Sequence, residues 1–487
     1  MSTPSVISIS EKSSDEALFS PEHEILNGNL PTVAFHTLGC KANQLETSTL
    51  AEDFRNLGWE LSSFDEPADV YVINTCTVTE RADQESRRMI RRAKLSNPNA
   101  RIAVTGCYAQ VAPDELAAQT GVSFVIGNNF KDELATIVTN AAATESDGTP
   151  FVKVSDIDKS RIMVGASSAA IDRTRGSLKI QDGCDYKCTY CIIWEARGLS
   201  RSLSVADIKH QLGRMLFDGF QEIMLTGINI GQYEHDGADL ADLLRELVSL
   251  PGRFRLRLTS LDPMEVTDKL IDAVAESDGK ICPYFHLSAQ SADDWILKRM
   301  GRRHHVAGMQ SVCEKIMARM PDACIGSDLI TGFPGETEAR FESTLNALNA
   351  TPMHYLHVFS YSARKGTPAA TFPDAIPERE KKRRAQQLRA WSQERHLDYR
   401  KRFLGRELDV LVEEGVNEQG WPRGMSENYL KITVGNARLL ASDDEIHAPD
   451  DNLSTENTMG LKTVRPNQRL RVKVCRISDD ETVGIVL

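Results

Sequence analysis

Apolar and polar positions alternate along this chain in three successive regimes. From residue 31 to about 130, short apolar runs (Val33-Ala34-Phe35, Val70-Tyr71-Val72-Ile73, Ile102-Ala103-Val104) give way each time to helix-period segments around 44–57, 79–95 and 110–119. Strands alternating with helices predict a parallel sheet with crossover connections. A weakly patterned stretch follows from about 135 to 171, with a short strand predicted at 151–154. From Gly176 to about Thr371 the alternation resumes on a longer scale. Six strands are predicted at 178–181, 222–225, 253–259, 284–287, 323–330 and 355–359, with helices at 238–250, 266–276 and 337–349. Six such units fit a partial parallel barrel, and equally an open α/β sheet. Beyond Leu404 helix signals cease, and alternating runs at 407–413, 429–434 and 469–477 predict a small antiparallel barrel.

The fold class is therefore α/β with a β-barrel appendage. A chain of 487 residues exceeds one ordinary domain. The expected division is an extension at 1–30, a sheet domain at 31–140, a linker at 141–172, a barrel core with a basic helix at 173–402, and a terminal domain at 403–487. The extension is rich in Ser, Glu and Pro, and disorder is expected there. It lacks a basic start followed by an apolar core, so it does not read as a signal peptide, and no apolar run approaches a membrane span. Cytoplasm is the expected location, and the ten cysteines then read as ligands or core residues rather than disulfides. A net charge of −12 argues against a general polyanion binder. It leaves room for local basic patches, such as 377–403, which includes Arg383 and Arg384, and Arg87, Arg88, Arg91, Arg92 and Lys94.

Chemistry enters through two sets of three cysteines. The first three apolar runs lead to Cys40, Cys76 and Cys107. In a parallel sheet the carboxyl ends of the strands share one edge, so these residues converge although they are distant in sequence. Gly39 and Gly106 precede two of them and permit close backbone approach. Three unrelated buried cysteines are the plainer alternative. The second set is the run Cys184-Asp185-Tyr186-Lys187-Cys188-Thr189-Tyr190-Cys191, directly after a predicted strand and the turn Asp182-Gly183. Three thiolates are one too few for a closed zinc site or an ordinary four-cysteine iron–sulfur cluster. A zinc loop completed by a distant residue stays open as an alternative. Cys282, Cys313, Cys324 and Cys475 share no spacing and read as core residues, and Arg302-Arg303-His304-His305 reads as a solvated basic turn.

The CxxxCxxC spacing with Tyr190 before the last cysteine resembles the signature of radical S-adenosylmethionine (SAM) enzymes. The longer run from Arg173-Thr174-Arg175-Gly176 through Cys191-Ile192-Ile193 and Ala196-Arg197-Gly198 resembles their methylthiotransferase branch. So do Thr37-Leu38-Gly39-Cys40-Lys41-Ala42-Asn43-Gln44, Asn74-Thr75-Cys76-Thr77-Val78-Thr79 and Thr105-Gly106-Cys107-Tyr108-Ala109-Gln110. Gly424-Met425-Ser426-Glu427-Asn428-Tyr429 is similar to a segment of the RNA-gripping TRAM domain.

The resemblance implies a partial (βα)6 barrel, SAM as cofactor and two 4Fe-4S clusters. One cluster, on Cys184, Cys188 and Cys191, cleaves SAM; an auxiliary one, on Cys40, Cys76 and Cys107, carries sulfur. It further implies that Tyr190, Gly227, Asn229, Ser260 and Gln290 lie at the SAM site, and that Arg383, Arg384 and Tyr429 contact RNA. Thr77-Val78-Thr79 with Ala82-Asp83 and Ser260-Leu261-Asp262-Pro263-Met264-Glu265-Val266 look most like the branch that modifies C2 of threonylcarbamoyladenosine beside the tRNA anticodon. Its partners would be a tRNA anticodon stem-loop, a flavodoxin- or ferredoxin-type electron donor and a sulfur donor. Trp194-Glu195 stands where the family has Pro-Tyr, and Ser288-Ala289-Gln290-Ser291-Ala292 where it has Pro-Leu-Gln-Ser-Gly. The alternatives are methylthiolation of isopentenyladenosine or of a ribosomal-protein aspartate, and a non-catalytic iron–sulfur RNA-binding protein.

Overall fold

The computed structural model describes residues 30–142, 148–157, 174–435 and 464–487. The expected disorder of 1–30 and the acidic insertion at about 442–457 lie outside the described residues.

The first regime folds as anticipated, into a six-stranded sheet in the order Glu60–Ser62, Thr32–Thr37, Val70–Thr75, Arg101–Gly106, Val122–Ile126, Phe151–Lys153. All neighbours are parallel. Strand Val70–Thr75 is buried along its whole length. Tyr71 and Ile73 pack against Met89 and Ile90 on one face, while Val70 and Val72 join Phe54 and Trp59 on the other. Burial on both faces accounts for a continuous apolar run rather than an alternating one.

One expectation for this regime is corrected. The helix predicted at 110–119 is two short helices, Cys107–Val111 and Pro113–Ala117. Pro113 bars helical geometry at the residue before it, and Ala112 is extended in φ at −141°. The short strand predicted at 151–154 forms at Phe151–Lys153, where it closes the edge of the N-terminal sheet by pairing with Val122–Ile126.

The second regime forms an open barrel of parallel strands. Gly176–Lys179, Glu222–Thr226 and Arg255–Leu258 pair in sequence. After a break at Thr259 the third strand continues as Ser260–Leu261, which pairs with Tyr284–Gln290, followed by Cys324–Thr331 and Tyr355–Ser360. Helices including Val205–Phe217, Leu240–Val248, Asp268–Ala275 and Glu338–Ala350 pack outside around one apolar core. Such a barrel presents its chemistry where the strands end.

The C-terminal strands Glu407–Val416, Pro422–Ser426, Lys431–Gly435, Arg469–Ile477 and Thr482–Val486 form a closed barrel. Its seam to the core is polar at the centre. Glu222 binds Arg255 Nε (2.6 Å) and Arg257 Nε (2.7 Å), while their remaining guanidinium nitrogens donate to the Met425 and Ser426 carbonyls (2.8 and 2.9 Å). Burial alone would raise the Glu222 carboxyl, but Arg257 and Arg255 override it and hold the pKa at about 2.

Candidate active site

The N-terminal strands deliver three cysteines to one edge of their sheet. Cys40 caps helix Lys41–Asn56, Cys76 directly follows Val70–Thr75, and Cys107 opens the short helix after Gly106. The three strands concerned are adjacent. At Gly39 (φ +97°) a Cβ would lie 2.8 Å from Cys76 Sγ, and at Gly106 (φ +96°) it would lie 2.3 Å from the Thr75 carbonyl. Both positions therefore require glycine, which ties the loops together. Asn43 completes the tie by donating Nδ2–H to the Leu38 and Thr75 carbonyls (2.8 and 3.1 Å).

Beneath this triad sits a buried ionic cluster spanning the two domains. Glu46 accepts from Lys131 (2.6 Å), Lys179 (3.0 Å) and Arg197 (2.7 Å), and Arg197 also reaches Asp182 (3.0 Å) and Asn43 Oδ1 (2.6 Å). Burial opposes ionisation of Glu46, but the three cations win and hold its carboxyl well below the usual carboxylate range. Burial pushes the Cys76 thiol up to about 12, with Cys107 adding to the shift, and burial also raises Cys107 against the pull of Arg197.

The second triad lies on the loop after the first barrel strand. Backbone bonds clamp that loop: Cys184 N–H donates to the Gly198 carbonyl (3.0 Å), Thr189 N–H to the Met300 carbonyl (2.9 Å), and Ala369 N–H to the Thr189 carbonyl (2.8 Å). Cys184 Sγ accepts from Tyr186 N–H and Cys191 Sγ from Ile193 N–H, both at 3.4 Å. Arg302 Nη1 lies 3.5 Å from Cys188 Sγ, and its Nη2 donates to Asp262 and to the Ser288 carbonyl. Burial lifts the Cys184 thiol to about 11 and the Cys191 thiol to about 12. The thiols of each triad are near enough for one to raise another's pKa, and metal binding would displace the protons that burial holds on. At the loop triad, N–H groups and a guanidinium are aimed at the sulfurs. These donor sets fit a cluster with one iron left open.

Cys184, Cys188 and Cys191 line a cavity of about 320 Å³. Of the residues expected at the SAM site, Tyr190, Asn229 and Gln290 line this cavity, joined by Arg302, Asp262 and Asp328. Val78 and Thr79, just after Cys76, form part of the wall, so the N-terminal domain closes the barrel mouth. Gly227 and Ser260 are not among the lining residues. Gly227 packs against Gln181, where a Cβ would meet Oε1 at 2.7 Å. That oxygen accepts from the Ile228 and Asn229 N–H groups (3.0 Å each), pinning the turn to the root of the cysteine loop.

The residues expected to meet RNA are engaged within the fold. Arg384 is buried on Glu336 (2.7 Å), Arg383 pairs with Glu338 (2.6 Å) and Glu380 (2.8 Å), and Tyr429 stacks on Tyr284. The solvated basic turn predicted at 302–305 is also corrected. Arg302 is inside the site, and His304 is 2% exposed, with burial and Arg302 lowering its pKa to about 3; of the two histidines only His305 is exposed. Arg302 reads as solvated in the sequence because a run of two arginines and two histidines resembles a surface turn. Its proximity to the cysteines arises from a contact between loops distant in sequence. Cys282, Cys313, Cys324 and Cys475 are buried, as expected of core residues.

Residues 32–127 match an uncharacterized protein family, UPF0004, and residues 178–348 match the radical SAM superfamily. The chain is 39% identical to the threonylcarbamoyladenosine tRNA methylthiotransferase MtaB of Bacillus subtilis, over 83% of this chain and 90% of the relative. It is 36% identical to the MtaB of Thermotoga maritima, covering 84% and 92% respectively. A tRNA-2-methylthio-N(6)-dimethylallyladenosine synthase of Dictyoglomus thermophilum is 34% identical, covering 82% and 91%. Among solved structures, the radical SAM methyltransferase TsrM of Kitasatospora setae superposes with a TM-score of 0.55 at 15% identity, over 70% of this chain and 77% of that one, which speaks to the fold alone. No helix among the described residues is long and apolar enough to cross a membrane. With both domains matched and MtaB relatives 36–39% identical over more than four fifths of the chain, the chain belongs to the MtaB-like radical SAM tRNA methylthiotransferases.

Proposed function

We propose that this enzyme methylthiolates C2 of N6-threonylcarbamoyladenosine beside the tRNA anticodon, converting t6A to ms2t6A. The observation that carries the reading is that Val78 and Thr79, which follow Cys76 in the chain, share a cavity wall with Cys184, Cys188 and Cys191, so the segment after the strand-end triad borders the space at the loop triad. Cys184, Cys188 and Cys191 hold the cluster that binds SAM, and Cys40, Cys76 and Cys107 hold the auxiliary cluster. When bound, these groups and SAM supply activation of a C–H bond that no side-chain base can deprotonate, together with the sulfur and the methyl group.

The chain's own residues bind, orient and exclude. Tyr190, Asn229 and Gln290 bound the SAM space, with Gly227 and Ser260 shaping the turns behind it. Arg302 keeps positive charge beside Cys188, where thiolate character is needed. Closure of the barrel mouth by the N-terminal domain keeps bulk water from the reacting carbon. A base in a single-stranded loop can be splayed into such a pocket. Helix Glu80–Ser96 begins at the mouth, where Glu80 N–H donates to Ser362 Oγ (3.2 Å), and carries exposed Arg81, Arg88 and Arg91 toward solvent. Arg81 and Arg91 suit phosphate contacts better than the buried Arg384 or the paired Arg383, while Arg88 is paired with Glu85 (2.6 Å) much as Arg383 is with Glu380.

In this reading 31–140 carries sulfur, 173–402 activates the substrate and 403–487 holds RNA. A flavodoxin- or ferredoxin-type donor and a sulfur donor serve it in the cytoplasm. The test is nucleoside mass spectrometry of tRNA from cells lacking the gene. Loss of ms2t6A with accumulation of t6A is expected. Persistence of ms2t6A, or loss of the isopentenyl species instead, would overturn the substrate assignment.

A further inference from the structure

Beside the cavity stands a polar trio that the cluster chemistry does not use. His286, Asp328 and His357 come from the last three barrel strands, and their ligand atoms lie within 4.8 Å of one another. Asp328 lines the cavity. Its Oδ1 accepts from His286 Nε2 (2.9 Å) and lies 3.3 Å from His357 Nδ1. No hydrogen bond to Oδ2 is seen among the described residues. His286 is itself fixed from behind, since its Nδ1 meets the Tyr355 hydroxyl at 3.1 Å, and Tyr355 meets the Tyr284 hydroxyl at 2.6 Å. Burial works against the charge on Asp328, but the two imidazoles hold its pKa at about 2, so a carboxylate with one committed oxygen and one open oxygen faces the cavity.

Strand Tyr355–Ser360, which carries His357 and pairs with the strand of Asp328, also brings an apolar side chain to the cavity. Phe359 is 50% exposed on the core side and Val78 is 53% exposed on the N-terminal side, and both line the cavity. Large apolar side chains left open at a pocket mouth suit the faces of a splayed base.

We propose that Asp328, oriented by His286 and His357, anchors the N6 substituent of the substrate nucleoside while Phe359 and Val78 enclose the base. This rests on the threonylcarbamoyl reading above. Beyond the N6–H that both nucleosides share, that substituent brings a second urea N–H and a hydroxyl, both donors to a carboxylate oxygen, while its own carboxylate must be turned away from Asp328 because two anions would repel there. An isopentenyl group brings no such donor of its own, so the oxygen would be desolvated without replacement. A site built to pair with a polar group rejects the analogue lacking it far more strongly than an apolar pocket rejects a misfit.

The test measures binding of synthetic anticodon stem-loops to the full-length, cluster-loaded protein. The loops carry t6A, isopentenyladenosine or plain adenosine at the target position. The wild type is expected to prefer the t6A loop over the plain one, and Asp328→Asn to cut that preference by about tenfold or more. His357→Leu is expected to weaken it, while His357→Gln, which keeps a donor, restores most of it. A preference in Asp328→Asn equal to the wild-type value overturns the proposal alone. An equal fall for all three loops also overturns it, since it marks a structural role. A stoichiometric divalent ion that Asp328→Asn loses would make the trio a metal site instead, with the same consequence. If the wild type itself shows no preference for t6A, the substrate reading fails and this assignment goes with it.

Discussion

Cys184, Cys188 and Cys191 occupy one loop of eight residues, while Cys40, Cys76 and Cys107 stand at the ends of three neighbouring strands. The donor atoms are the same, but the sources of order differ. The loop triad is set by local spacing and by backbone bonds to Gly198 and Met300. The strand-end triad is set by sheet register, by glycines packed on their neighbours and by an ionic cluster that crosses a domain boundary. Damage far from the cysteines should therefore reach the second triad more readily than the first.

The sharpest way to separate the two is to remove one ligand from each. Cys191→Ala should abolish cleavage of SAM, read as 5′-deoxyadenosine by mass spectrometry. Cys76→Ala should retain that cleavage and lose methylthiolated product, with each variant keeping about half the iron of the wild type. Equal loss of SAM cleavage in both would break the comparison.

A smaller effect is expected from the ionic cluster. Glu46→Gln leaves Lys131, Lys179 and Arg197 facing one another without their shared anion, apart from Asp182, and breaking such a buried set costs about 3–5 kcal/mol. The sign of its pH dependence follows from the depressed folded-state pKa. The stabilisation is complete above the ordinary carboxylate value and disappears as pH falls toward the folded value. The wild type should thus lose thermal stability on acidification more steeply than Glu46→Gln. Parallel acid profiles for the two proteins would show that Glu46 is not the titrating group.

Gly39→Ala acts within the triad itself. Its Cβ would stand 2.7 Å from Cys76 Cβ at a φ of +97°, which costs about 1–3 kcal/mol in strain. Product formation should fall while SAM cleavage persists, the same split as in Cys76→Ala in milder form. A Gly39→Ala protein with wild-type iron content and product yield would mean that the loop relaxes freely.

The two triads also mark how far the sequence could be read. Six barrel strands and the strand-end convergence were legible because apolar runs and cysteine positions repeat along the chain. The loop triad was legible from its spacing. Arg302, Asp328 and His286 were not, since each approaches the site only through barrel closure, and nothing near them in sequence announces the contact. The basic helix Glu378–Lys401 misled for the converse reason. Its charge run includes Arg384, which is 4% exposed and paired with Glu336, so composition could not distinguish a guanidinium facing solvent from one tying the barrel shut.

The smallest predicted effect tests whether the aromatic side chain that follows the loop triad matters. Trp194 follows the last cysteine, and Lys187 lies 5.3 Å from its ring centroid, a half-exposed cation–π contact of about 0.5–1 kcal/mol. The bonds that clamp the loop are made by backbone groups of Cys184, Thr189 and Ala369, none of which depends on that ring. Trp194→Ala should therefore lower the melting temperature slightly and leave iron content at both triads unchanged. If iron is lost from the loop triad instead, that triad relies on neighbouring side chains as the strand-end triad does, and the contrast between a self-sufficient loop and a fold-dependent edge falls.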